Sequence, residues 1–198
     1  MPPFDPQKHH RRSIRLRGYD YTQVGAYFVT MVTQGRACLF GDVVNGEMVL
    51  NDLGKIVQKW WDDLPIHFSN VETGAFVVMP NHVHGVIIIV HDGRGAVPAP
   101  GLRHDSATNF DDPSQTGRED PAPTGKPILG QILAYFKYQS TKEINTLDGT
   151  GVISKLWQRN YYERIVRNAR EMQAIWGYIE GNPANWEQDK ENLQGVGL

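Results

Sequence analysis

A chain of 198 residues with 40% hydrophobic content can build one domain with appended segments. Its longest apolar run is far too short to span a bilayer, and its basic start carries no signal-peptide pattern. A single cysteine, Cys38, excludes a disulfide framework and a thiolate metal cluster, which favours the cytoplasm.

A formal charge of −2 speaks against a nucleic-acid partner, but the average hides an uneven distribution. Arg11, Arg12, Arg15 and Arg17 crowd residues 1–20, a polar stretch without period that reads as a basic, phosphate-binding arm or as a solvated tail. Residues 92–125 are rich in Gly, Pro, Ser, Thr and Asp, and their first part sets six acids against three arginines (−3), leaving the remainder at +1. A stretch this long without apolar periodicity reads as a flexible insertion in a domain over 21–190, and residues 191–198 as a tail.

Between arm and insertion the elements follow in order. Ala26–Thr33 is β-branched and aromatic, a first strand. Residues 43–50 form a hairpin, because Asn45-Gly46 supplies the positive φ values of a type I′ turn. Asn51 or Asp52 caps a helix to about Leu64 with Leu53, Ile56, Val57, Trp60 and Trp61 on its apolar side, and Pro65 marks its end. Ala75–Met79 is another strand. After Pro80-Asn81 comes His82-Val83-His84-Gly85 and the β-branched run Val86–Val90, a strand short enough to be buried on both faces.

Past the insertion, Ile128, Ile132, Leu133, Phe136, Ser140 and Ile144 recur at helical spacing over 128–145, with Lys137 on the polar side. Residues 152–165 read as a strand or extended pair carrying Trp157, Tyr161 and Tyr162. Asn168 starts a last helix with Glu171 as its capping-box partner, and Pro183 stops it. Strand, hairpin, helix, two strands, helix, strand, helix is an α+β plan: an antiparallel sheet with helices packed on one side.

Two places carry chemistry. Side chains alternate along a strand, so His82 and His84 share a face roughly 6–7 Å apart at Cα and can hold one divalent cation. The plainer reading is two half-buried histidines with local hydrogen bonds. In the last helix Tyr178 and Asn182 are four apart and share a face. The tyrosine is a possible covalent nucleophile, and the Asn carbonyl can complete a His, His, O set for Mg²⁺ or Mn²⁺. Against this, Tyr178 can simply pack in the core while Asn182 caps the helix. Trp157, Tyr161 and Arg159 suit stacking or contact with bases, or else core and edge packing.

These residues resemble the REP-associated tyrosine transposases, a branch of the single-tyrosine HUH transposases. The matching segments are residues 11–16, 25–30, 76–85, 156–163 and 178–183, nearly end to end but for 92–125. Most specific is the combination of Pro80-Asn81-His82-Val83-His84-Gly85 with Tyr178-Ile179-Glu180-Gly181-Asn182-Pro183. The resemblance implies a ferredoxin-like (RRM-like) sheet with His82 and His84 as catalytic metal ligands, Asn182 as the third and Tyr178 as the nucleophile. It also implies a Mg²⁺- or Mn²⁺-dependent enzyme, monomer or homodimer, that cleaves and rejoins single-stranded DNA hairpins through a 5′-phosphotyrosine. Lys137, Trp157, Arg159 and the four arm arginines are the expected DNA contacts. The long insertion departs from compact relatives. Two alternatives stand beside this: a non-catalytic RRM-like nucleic-acid-binding protein derived from a transposase, and a metal-dependent phosphoesterase acting on a small nucleotide.

Overall fold

The computed structural model describes residues 24–90, 128–148 and 155–192. The arm with Arg11, Arg12, Arg15 and Arg17, the insertion at 92–125 and most of the tail lie outside the described residues.

Strand β1 (Gly25–Val32) is the centre of a four-stranded antiparallel sheet ordered β4-β5-β1-β6. It pairs with β5 (His82–Ile89) on one side and β6 (Tyr162–Val166) on the other, and β4 (Val71–Val78) completes the far edge. Alternation divides β1 cleanly. Tyr27, Val29 and Met31 enter the main core with Val83, Ile87 and Ile89 of β5. Over that face pack α1 (Asp52–Asp62), the short α2 (Leu64–His67) and α3 (Leu129–Asp148), through Ile56, Val57 and Trp61, Leu64, and Ile132, Leu133 and Phe136. This is the expected antiparallel sheet with helices packed on one side, here α1, α2 and α3. The opposite face carries Phe28 and Val86 in a smaller cluster with Ile175 and Ile179 of α4 (Ala169–Glu180). Among the described residues, no helix is long and apolar enough to cross a membrane.

Local chemistry accounts for most element ends. Asn45 (φ 53°) and Gly46 (φ 80°) form the I′ turn between β2 (Gly41–Val44) and β3 (Glu47–Leu50). The Asn51 side chain accepts from Gly54 N at 3.0 Å, and that of Asn168 from Glu171 N at 2.9 Å, each satisfying an orphan donor of a helix N-terminus. Glu171 in turn accepts from the backbone N–H of Arg167, one residue before the cap, at 2.9 Å.

Three boundaries differ from expectation. Pro65 does not end α1, which stops at Asp62; it opens α2 in the first turn, where a missing N–H is harmless. Strand β4 begins four residues early, at Val71, because a bulge between Thr73 and Phe76 accommodates Gly74 and breaks the apolar alternation. Of the 152–165 stretch only Tyr162–Val166 is strand; Trp157 makes one isolated bridge to Thr33. The last helix does end before Pro183, as expected, and Pro183 then opens a 3-10 helix, Pro183–Gln188.

Candidate active site

Strand alternation puts His82 and His84 on the α4 side of β5, where both are buried. Gly85, next in line, faces the main core beneath Trp61. A Cβ there would meet the Trp61 ring at 2.4 Å, so only glycine lets the Trp61–Phe76 stack lie against the strand.

Hydrogen bonds assign the imidazole nitrogens. Asn81 Nδ2 donates to Arg36 O (3.2 Å) and Glu191 O (2.7 Å), so Asn81 Oδ1 is the atom that faces His82 Nδ1 at 2.8 Å. His82 Nδ1 therefore carries the proton, and its Nε2 lone pair points at His84 Nε2, 3.0 Å away. His84 Nδ1 lies 2.8 Å from Thr30 Oγ1, a hydroxyl that can donate or accept. Two imidazole lone pairs cannot face each other at this distance unless one nitrogen is protonated or a cation lies beside both.

Burial holds His82 at about 4, partly opposed by Asp189, and His84 at about 3, with His82 adding to the depression. Both rings are thus neutral at pH 7, the form a metal ligand requires. The hydroxyl of Tyr178 on α4 lies 3.2 Å from His84 Nε2, and its ring packs edge-on to Phe28 and tilted against His84. Tyr178 is 49% exposed. Its phenol is pushed up, first by partial burial and then by Asp189 and Glu191, while a hydrogen bond with Asn182 opposes the rise.

Asn182 sits one turn beyond Tyr178, past the end of α4 but still with helical backbone (φ −62°, ψ −43°), so the two keep a common side. Its Nδ2 lies 3.3 Å from Asp189 Oδ2, and its Oδ1 is buried with no hydrogen-bond partner. Asp189, at the C-terminal cap of the 3-10 helix, is the residue that spacing did not reveal. Its Oδ2 is 3.9 Å from His82 Nε2, and ligand atoms of His82, His84 and Asp189 all lie within 4.8 Å of one another.

The fit to a divalent cation rests on these atoms. Two nitrogens each about 2.1 Å from one ion at a right angle would be ~3 Å apart, as the two Nε2 atoms are. Asp189 supplies the charge and the orphaned Asn182 Oδ1 a further neutral oxygen. Asp189 thus adds a carboxylate to the histidine pair, beside the expected Asn182. Nothing in the sequence flags Asp189, because it is seven residues beyond Asn182 in a segment without helical or strand period.

The remaining expected contacts distribute differently. Trp157 is buried against Phe40 and Phe136 and donates its indole N–H to Ser140 Oγ at 3.0 Å, which leaves no free face for a base. Lys137 donates to the carbonyls of Gln158 (2.9 Å) and Asn160 (3.1 Å), and burial pulls its ammonium down to about 8; it ties α3 to the 155–161 segment. Arg159 is exposed. Of the other tyrosines, Tyr135 stacks on His67 and Tyr161 packs against the main core under Lys137, both away from the histidines. Among the described residues, Tyr162 alone of these shares the cleft with Tyr178, a space of about 630 Å³ floored by Phe28, Thr30 and His84 and rimmed by Asn185, Gln188 and Lys190.

An antiparallel sheet with two histidines, a carboxylate and a half-exposed tyrosine gathered in one cleft makes this an α+β protein with a candidate metal site. The solved structure of a REP-associated tyrosine transposase bound to a REP hairpin superimposes with a TM-score of 0.52 over 89% of this chain and 76% of that one. At 16% identity this likeness shows the fold alone. No protein-family model matches the chain. An uncharacterized protein of Haemophilus influenzae (strain ATCC 51907 / DSM 11121 / KW20 / Rd) is 38% identical over 182 residues, 92% of this chain and 93% of its own length. The chain belongs to one family with that protein.

Proposed function

We propose that the protein is a metal-dependent single-strand DNA transposase or nickase that cleaves and rejoins DNA at hairpin-forming, REP-like sequences through Tyr178. The observation that carries the reading is the Tyr178 hydroxyl standing 3.2 Å from His84 Nε2, with His82 and Asp189 beside it in one open cleft. A divalent cation held by His82, His84 and Asp189, with the Asn182 carbonyl alongside, would polarise a scissile phosphate and offset its developing charge.

The chain's own residues do the rest. Half-exposure lets the Tyr178 hydroxyl meet a phosphodiester and pass its proton to water, while Phe28 and His84 fix the ring by edge contacts. The Tyr178 oxygen bonds to phosphorus, the P–O3′ bond breaks, and the departing 3′ oxygen takes up a proton. The 5′ side remains as a phosphotyrosine ester. A free 3′-hydroxyl attacking that ester reverses the step and rejoins strands without an external energy source, since one phosphoester replaces another. The N-terminal arginines and the exposed Arg159 are the proposed backbone contacts.

The test is incubation of the full chain with end-labelled single-stranded DNA containing a repeat hairpin, plus Mg²⁺ or Mn²⁺. A denaturant-resistant protein–DNA adduct with a free 3′-hydroxyl fragment is expected. Cleavage without an adduct would point to a phosphoesterase. Binding without cleavage would point to a non-catalytic RRM-like protein.

A further inference from the structure

The cleft has a second half that the phosphoryl chemistry leaves unused. Phe28, buried on β1 and stacked on His84, is flanked by two tyrosines standing edge-on to it: Tyr178 at 6.0 Å and 80°, and Tyr162 at 6.3 Å and 68°. The register sets Tyr162 directly opposite Thr30, the residue that holds His84 Nδ1. Tyr162 therefore lies on the histidine face, one strand out, on the edge strand β6. The apolar side of α4 rests on Phe28 and Val86 and does not cover Tyr162, which remains 47% exposed. Among the described residues its hydroxyl makes no hydrogen bond, although the ring is held in place by Phe28.

We propose that Tyr162 is a stacking platform for an unpaired base of the DNA strand, a few nucleotides from the phosphate that Tyr178 attacks; this rests on the reading of Tyr178 as nucleophile. Both tyrosine rings touch Phe28, so their centres lie no more than ~12 Å apart, a span of a few nucleotides at about 3.4 Å each in a stacked strand. An exposed, pre-oriented aromatic face beside a phosphate-handling site is how proteins hold single-stranded bases, and it tolerates any base because every base has a π-face. Asn185, Gln188 and Lys190 rim the same space and offer hydrogen bonds and one cation to the passing strand. Trp157, the more obvious aromatic, cannot do this because it is buried.

The experiment separates binding from cleavage. A full-length Tyr178→Phe protein in EDTA is mixed with single-stranded repeat-hairpin DNA in which a fluorescent purine analogue is moved one position at a time. Quenching at one unpaired position is expected. In the same background Tyr162→Ala should remove that quenching and weaken binding about tenfold, within the range of one stacked base, whereas Tyr162→Phe keeps both. An abasic nucleotide at the quenched position should cost the parent the same factor and the Tyr162→Ala protein nothing more. The abasic arm keeps the test decisive if Tyr162→Ala fails to fold. Tight binding with quenching and affinity indifferent to Tyr162 would overturn the platform and leave Tyr178 untouched. A parent that binds no single-stranded DNA would overturn both readings.

Discussion

Thr30 is a small residue with a large claim on the site. Its hydroxyl is the partner of His84 Nδ1, and because it can donate or accept, His84 can turn either a proton or a lone pair toward His82. Thr30→Val keeps the shape and removes that freedom, so divalent-ion affinity should fall about 10- to 100-fold, the usual effect of losing a partner behind a ligand histidine. Titration with Mn²⁺ followed by calorimetry would read it, and an unchanged affinity would show that Thr30 only fills space. Tyr178→Phe removes a single oxygen from a half-exposed side chain and keeps the ring that packs on Phe28. Hairpin binding and thermal stability should persist while the covalent adduct vanishes. Peptide mass spectrometry of trapped wild-type complexes should place the phosphotyrosine on Tyr178; an adduct on Tyr162 would reassign the nucleophile.

At the scale of elements, the site depends on how closely α1 approaches β5. Trp61 lies flat on Phe76 (4.2 Å, 9°) and fills the space a side chain at position 85 would need. Gly85→Ala should therefore destabilise the fold by about 1–3 kcal/mol through overpacking, measurable as a lower denaturant midpoint. It should also shift His84, its neighbour on the strand. A midpoint equal to wild type would mean that the Trp61 ring has room to move. Asn81 links three segments in one side chain, holding Arg36 O, Glu191 O and His82 Nδ1. Glu191 N in turn donates to Asp189 Oδ1 at 2.7 Å, so the turn before β5 also positions the carboxylate that follows the 3-10 helix.

For the whole molecule, the two histidines predict an acid-sensitive fold. They titrate near 4 and 3 in the folded chain and near 6.5 when unfolded, so below about pH 6.5 the unfolded chain binds protons that the folded chain refuses. Their contribution is complete above pH 6.5 and is lost as pH falls through 4 and then 3. Melting temperature should drop over that window, and a His82→Gln, His84→Gln double variant should show a flatter profile. Adding Mn²⁺ at neutral pH should raise the melting temperature more than Mg²⁺ at equal concentration, because two imidazoles favour the softer ion and binding stabilises only the folded state. Arg12→Ala with Arg15→Ala should weaken DNA binding and flatten its salt dependence, since each lost phosphate contact releases roughly one fewer counterion. Equal salt slopes would make the arm a solvated tail.

What local chemistry encodes was legible in the chain alone. The I′ turn at Asn45-Gly46, the caps at Asn51 and Asn168 and the common face of His82 and His84 all depend on neighbours within a few residues. The four-residue step from Tyr178 to Asn182 survives for the same reason, although Asn182 lies beyond the helix proper. Long-range placement was not legible. Asp189 is held beside the histidines by contacts distant in sequence: Asn81 and Arg36 grip Glu191, the first across 110 residues. Trp157 and Tyr162 occur in one aromatic segment with no period to tell them apart, and their fates diverge. The pocket around Ser140 and Phe136 takes the first, while the edge position of β6 leaves the second in the cleft. Alternation and capping are properties of a short stretch of backbone and can be read from it. Which side chain meets a cleft is decided by the packing of elements distant in the chain, and only the tertiary structure carries that.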